Sequence, residues 1–310
     1  MTGLQSLFAA ISAIVLFIYG LQGFSRELRA VGGLALQSWL GRVTASRWLG
    51  FVVGALATAV VQSSSAVTSL TTALVDSSVI SFRASLGVLL GSNVGTTATA
   101  WLVSFKLTGI GPLFIVLGAV LSVLPKRVSV AGKSVFYFGL IFFALDLISA
   151  ELKPLREQPA FAEWLSLAQA PWLGVATGLA FTAIVQSSSV TTGVAILLVQ
   201  QGVLPAEAAI PIVLGANVGS TSTALLASIG MNAMARATAL ANFLFNAAGV
   251  ILYFPFMQQF AHAMLHLAED PGMAVALAHL IFNLTTALAF LVTLDWVEPP
   301  VRRLLLRDRA

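Results

Sequence analysis

Long apolar runs separated by short basic, glycine- or proline-containing connections set the plan of the chain. The first run, Leu7 to Phe24, closes on Arg26, Glu27 and Arg29, and at about 20 helical residues per hydrocarbon thickness it is long enough to cross a bilayer. The less apolar stretch from Leu28 to Trp48, with Trp39, Arg42 and Arg47, predicts an interfacial helix lying on the membrane surface. Six further runs predict crossings: Ala84 to Phe105, Ile110 to Leu124, Val130 to Ser149, Ala208 to Ile229, Met234 to Phe256 and Met273 to Leu294. Two others, Leu49 to Val75 and Trp172 to Gln200, carry a polar cluster at their centres.

Those clusters are copies of each other. Gln62-Ser63-Ser64-Ser65 is followed by Gly91-Ser92-Asn93-Val94-Gly95-Thr96-Thr97; Gln186-Ser187-Ser188-Ser189 is followed by Gly215-Ala216-Asn217-Val218-Gly219-Ser220-Thr221, every matched position 124 residues later. A duplication of this kind points to a transporter-type repeat. As a straight span, each Gln-Ser-Ser-Ser segment would put four polar residues at mid-bilayer; a re-entrant hairpin, with half-helices at about 49–60 and up to Asp76 around a tip at 62–65, accommodates them better. The glycine-flanked asparagines predict helix breaks within the spans that follow, although the same glycines could simply permit close helix contact.

Composition settles the class. The 310 residues are 58% hydrophobic and 9% charged, against about a quarter charged in soluble domains, so the chain is an integral membrane protein. With two hairpins and the amino terminus outside, thirteen of the sixteen Lys and Arg face the cytoplasm, leaving Lys106, Lys153 and Arg156 outside. This bias favours seven crossings plus two hairpins, with the second repeat inverted relative to the first, over nine plain spans. It also explains the net charge of +4 without nucleic acid. The expected fold is an all-α integral membrane protein of the cytoplasmic (inner) membrane with inverted repeats, each with a re-entrant helical hairpin and a broken transmembrane helix. Its expected parts are a first helix and interfacial helix (1–48), repeat 1 (49–150), an extracellular connection (151–170), repeat 2 (171–295) and a basic tail (296–310) carrying Arg302, Arg303, Arg307 and Arg309.

No cysteine is present and no histidine lies near either serine cluster, so nucleophilic and thiolate-metal chemistry lack their parts and no enzyme is expected. His262 and His266, one turn apart on an expected outer loop, lack a third metal ligand. Asn246, Asn283 and His279 sit in apolar helices, where interhelical hydrogen bonding is the simplest role. What remains is neutral oxygens and amides. Hydroxyl and half-helix N–H donors suit an oxyanion, whereas carbonyl ends and Ser, Thr and Asn oxygens suit an alkali cation, and the two bound together offset each other's charge in low dielectric. Substrate candidates are Gln62, Ser63, Ser64, Ser65, Asn93, Gln186, Ser187, Ser188, Ser189 and Asn217; sodium candidates are Gln62, Ser65, Thr96, Thr97, Gln186, Ser189, Thr192, Ser220 and Thr221, with Ser69, Thr71, Thr72 and Thr191 as neighbours of the tips. Asp76 fits a cation path or a hydrated hairpin end.

On its two Gln-Ser-Ser-Ser and two Gly-x-Asn-x-Gly-Thr/Ser-Thr signatures, the chain resembles the type II sodium-dependent phosphate cotransporters and their bacterial relatives over about Leu7 to Leu294. The resemblance implies a sodium and phosphate site at the two Gln-Ser-Ser-Ser regions, sodium-coupled symport of inorganic phosphate by alternating access, and no cofactor beyond the coupling ions. Ser220 stands where the first repeat has Thr96, keeping a hydroxyl. Another oxyanion, a passive anion channel and a phosphate sensor are the alternatives. Many bacterial relatives add a carboxyl-terminal regulatory domain that this sequence stops short of; a separate soluble regulator and a homo-oligomer are both compatible with it.

Overall fold

The computed structural model describes residues 3–41, 46–105, 109–125, 127–156 and 170–305, all of whose regular elements are helical. In chain order these are α1 (Gly3–Gly41), α2 (Arg47–Val61), α3 (Ser64–Asp76), α4 (Phe82–Ser104), α5 (Gly111–Ser122), α6 (Arg127–Arg156), α7 (Pro171–Val185), α8 (Ser188–Gln200), α9 (Ala206–Ser220), α10 (Ser222–Ala227), α11 (Ala233–Tyr253), α12 (Met257–Leu267) and α13 (Pro271–Leu305). Stretches from six regions are long and apolar enough to cross a membrane: Phe8–Ala30, Phe82–Ser104, Val128–Ile148, Ala206–Ala227, Ala233–Leu267 and Pro271–Trp296. The protein is therefore an all-α, multi-pass integral membrane protein. Many large apolar side chains remain exposed, among them Phe8, Leu113, Val116, Ile184 and Ile251, as expected of faces turned to lipid rather than water.

Several expectations need correction. Of the seven expected crossings, 110–124 becomes α5, whose 12 residues span only about 18 Å at 1.5 Å per residue. No separate interfacial helix begins at Leu28, because α1 carries on unbroken to Gly41. The first expected break does not occur: α4 is continuous through Gly91–Thr97, while the second repeat breaks at Thr221, after its glycines. His262 and His266 lie on α12 rather than a loop. α6 continues to Arg156 and α13 to Leu305, so the expected connection and tail both start within helices. Arg42, Lys106, Lys126, Trp164, Arg307 and Arg309 lie outside the described residues.

The glycines act by contact. A Cβ on Gly87, Gly91 or Gly95 would strike the main-chain oxygen of Arg47, Phe51 or Ala55 respectively, so every fourth residue of α4 rests on every fourth carbonyl of α2. The matched numbers rise together, and the two helices run parallel. α3 must consequently return the chain to the level at which α2 began, the geometry expected of a hairpin, although its arms pack mainly on other helices. The second copy repeats the contacts residue for residue: Gly215 meets the Val175 oxygen, Gly219 that of Leu179, and Gly178 that of Ile212 where Gly54 meets Val88. Pro211 replaces the third glycine. Without a hydrophobic drive between helices in lipid, such close small-residue packing is a principal source of adhesion.

The correspondence extends beyond the expected repeat. α2, α3 and the start of α4 recur as α7, α8 and the start of α9 at the same offset of 124, and so does the start of α1 in α6. Ser25-Arg26-Glu27-Leu28-Arg29 is echoed by Ser149-Ala150-Glu151-Leu152-Lys153. α1 and α6 lie against each other, with Gly20 on the Ile141 main chain, Gly23 on the Tyr137 ring and Phe24 6.0 Å from Phe138 between ring centroids. As one number rises the other falls, so these counterparts are antiparallel. Phe17, fully buried, carries the main core from α1 into α8, where the Gly193 position abuts its ring.

Replacing Gly91 or Gly215 with alanine should destabilise the protein by about 1–3 kcal/mol or more, the usual range for an overpacked contact, because a main-chain oxygen cannot rotate away. Thermal unfolding of detergent-purified protein would show this as a lowered Tm.

Candidate functional site

Each tip is built by the same local steps. α2 stops at Val61 because Gln62 turns into the left-handed region (φ 55°, ψ 32°), and Gln186 does the same after α7 (φ 59°, ψ 26°). Of the described residues other than glycine only these two and Ser78 have positive φ, a conformation that costs a β-carbon-bearing residue roughly 1–2 kcal/mol. The turn is held by the Gln62 N–H donating to the Thr58 oxygen and the Gln186 N–H to that of Thr182, both at 2.7 Å. Ser63 and Ser187, extended, then cap α3 and α8 by accepting from the Ala66 and Val190 N–H groups at 3.3 and 3.4 Å. Each glutamine amide folds back, Nε2 donating to the Ala59 or Ala183 oxygen at 2.6 Å.

Two threonines absent from the sequence-based candidates complete the tips. Thr99 Oγ1 donates to Gln62 Oε1, and Thr223 Oγ1 to Gln186 Oε1, each at 2.7 Å. Their own separation of 124 residues was the signal available in the sequence. Thr99 also lies 3.4 Å from Ser189 Oγ, linking one copy to the other, and Gln186 Nε2 donates to Ser222 Oγ at 3.2 Å.

The two tips meet in one cavity of about 440 Å³, within the range of small-ligand sites. All eight Gln-Ser-Ser-Ser residues line it, as do Ser69, Thr99 and Thr223. The first turns of α3 and α8 both face it, bringing main-chain N–H groups and the positive ends of two helix dipoles to the same space. The remaining wall is α1, through Leu21, Gln22, Phe24, Ser25, Arg26 and Arg29. Ser25 Oγ donates to the Gln62 main-chain oxygen at 3.0 Å, joining α1 to the first tip. Among the described residues no Asp or Glu lines the cavity, and the ionisable side chains that do are the two arginines. The arginines had been assigned only to the cytoplasmic charge bias; their spacing from the tips along the chain gives no hint of this proximity.

Other sequence-based candidates fall elsewhere. Asn93 and Asn217 do not line the cavity. Asn217 belongs to a buried group in which its Oδ1 lies 3.0 Å from His279 Nε2 and its Nδ2 3.4 Å from Asn283 Oδ1, the interhelical role expected of His279 and Asn283. Asn246 instead donates within its own helix, to the Asn242 oxygen at 2.9 Å. The hydroxyls of Thr96, Thr97, Ser220 and Thr221 donate to main-chain oxygens three or four residues earlier at 2.7–2.9 Å, and those of Thr71 and Thr72 do likewise. Thr191 pairs with Thr182 at 2.6 Å, whereas the Ser69 and Thr192 hydroxyls are buried without a partner among the described residues. Asp76 accepts from the Asn232 N–H at 2.7 Å. Among the described residues no three His, Cys, Asp or Glu come together as a metal centre.

Comparison with known proteins bears on this arrangement. The chain is 30% identical over 281 residues to the uncharacterized protein YqeW of Bacillus subtilis (strain 168), covering 90% of this chain and 91% of that one. It is 31% identical over 306 residues to the putative inorganic phosphate export protein YjbB of Escherichia coli (strain K12), covering 96% of this chain but 55% of that protein, so it spans about half the length of that relative. An 88-residue stretch, 27% of this chain and 13% of the other, is 41% identical to the human sodium-dependent phosphate transport protein 2B. No solved structure matches. The Na+/Pi-cotransporter family profile matches residues 16–150 and 156–269, taking in both tips and both glycine ladders, and the chain belongs to that family.

Proposed function

We propose that the chain is a secondary transporter coupling sodium movement to that of inorganic phosphate by alternating access. One observation carries it: tips 124 residues apart in sequence close on a single cavity without carboxylates and rich in hydroxyl, amide and guanidinium donors. Such a lining suits a tetrahedral oxyanion. Gln62, Ser63, Ser64, Ser65, Gln186, Ser187, Ser188 and Ser189 are its contacts, with the N–H groups opening α3 and α8. The names of the E. coli and human relatives favour phosphate, and the family name favours sodium as the coupling ion. Tip oxygens of Ser65 and Ser189 are the sodium ligands the cavity itself supplies; Ser69, with its unpaired hydroxyl, is a third.

The antiparallel packing of α1 on its counterpart α6 supports an inverted repeat, and the return of α3 to the level of the α2 start supports a re-entrant hairpin. The repeats on this reading begin with α1 and α6 rather than with α2 and α7. Two halves so related can exchange conformations by rocking about the tips, presenting one site to either side of the membrane. By the distribution of Lys and Arg, the α1 wall of the cavity lies toward the cytoplasm.

In proteoliposomes, phosphate flux should require an imposed sodium gradient; equal flux with potassium or choline in place of sodium would overturn the coupling. Ser64→Ala and Ser188→Ala should each lower transport about tenfold or more in folded protein, since hydrogen bonds to a charged partner are worth about 1.5–3 kcal/mol; wild-type rates in both would remove the tips from the site. Thr99→Val should leave Gln62 Oε1 without its donor and cost about 1 kcal/mol of stability, read as a fall in Tm. Sulfate and arsenate competition during flux discriminates phosphate from other tetrahedral anions.

A further inference from the structure

We infer that Arg26 and Arg29 of α1 form the anion-capture subsite at the mouth of this cavity, an assignment that rests on the oxyanion-transport reading above. Both lie at the end of the apolar stretch Phe8–Ala30, where a charged side chain on a spanning helix is retained when it reaches water. Both line the cavity and are exposed to it. They stand three residues apart on one helix, a spacing at which like charges repel, and among the described residues neither is paired with a carboxylate. The neighbouring Glu27 does not line the cavity. An anion supplies the charge this arrangement lacks.

The two guanidinium groups are held differently. Arg26 Nη2 donates to the Tyr137 hydroxyl at 3.0 Å, with the guanidinium carbon 5.8 Å from that ring's centroid, so its head group is anchored on α6. Arg29 uses only Nε, donating to the Ser25 main-chain oxygen at 3.3 Å. Its Nη1 and Nη2 make no hydrogen bond among the described residues, leaving a planar pair of donors suited to two oxygens of one tetrahedral anion. Ser25, on the same turn, is the residue that bonds the first tip, which places the arginine pair at the edge of the Gln-Ser-Ser-Ser site rather than on a remote surface. The counterpart positions on α6 are Ala150 and Lys153, so the guanidinium pair exists in one copy only. Capture is therefore asymmetric: an anion arriving along the α1 wall meets a bidentate cationic pair that one arriving along the α6 counterpart does not.

The test is initial-rate inorganic phosphate flux in proteoliposomes of known orientation, with Arg29→Gln, Arg29→Lys and wild type compared from each side. Arg29→Gln should raise KM for phosphate about tenfold from the α1 side, change Vmax little, and flatten the rise of KM with ionic strength seen in wild type. Arg29→Lys should restore the salt dependence with only part of the affinity, because an ammonium is a point charge without the fork. From the opposite side KM should be nearly unchanged in both variants. Wild-type KM in Arg29→Gln, or a Vmax loss with KM unmoved, overturns the assignment while leaving the transport reading intact. Absence of phosphate flux in wild type overturns the transport reading and this subsite with it.

Discussion

A helix that ends within a packed bundle leaves main-chain donors and acceptors in need of partners, and the way the stops at Gln62 and Gln186 are satisfied governs the rest of the molecule. Each stop is compensated locally, by the turn onto Thr58 or Thr182 and by the serine cap that follows. It is compensated again from outside, by Thr99 or Thr223 on the glutamine oxygen and, at the first tip, by Ser25 on the main-chain oxygen. The first turns of α3 and α8, with their main-chain N–H groups, face the shared cavity. The donors that the fold does not consume are thus the ones available to a solute, and the left-handed glutamines are held in place by these converging bonds despite their cost.

Much of this was legible in the chain. The membrane class followed from composition, and the helix stops from the position of polar residues in apolar runs: the expected half-helices at 49–60 and up to Asp76 correspond in extent to α2 and α3. The eight tip residues come together as the duplication suggested. The glycine motifs show where pattern alone misleads. Gly91 and Gly95 read as a helix break in preference to a close contact, and the Phe51 and Ala55 carbonyls beneath them decide for contact. Asn93 and Asn217 were drawn into the site by their place in the repeated motif, yet the cavity is lined instead by Thr99, farther along α4, and by Thr223, on α10 beyond the break that ends α9. Arg26 and Arg29 were hidden for a different reason: proximity of α1 to the tips is a long-range contact that no local periodicity records.

Charge is distributed with economy. Among the described residues the carboxylate–guanidinium pairs join Arg47 and Arg83 to Asp295, and Arg83 to Glu298, at the far ends of α2, α4 and α13. Asp295 and Glu298 therefore pair with arginines away from the tips, while among the described residues the two arginines of the cavity have no carboxylate partner. The buried group around Asn217, His279 and Asn283 ties α9 to α13 without drawing on the cavity lining.

The glycine ladder has a mechanical meaning. With main-chain carbonyls of α2 seated directly on glycines of α4, neither helix can slide or roll without a steric collision every turn, so the pair is a single stiff lever that ends at the first tip; α7 and α9 form its twin at the second. The α1–α6 contact is built differently, with Gly20 on the Ile141 main chain, Gly23 under the Tyr137 ring, and aromatic rings and one guanidinium on a tyrosine along the rest. A load on either helix of a lever is therefore delivered to its tip rather than absorbed between the two, and the cavity lies where both levers end.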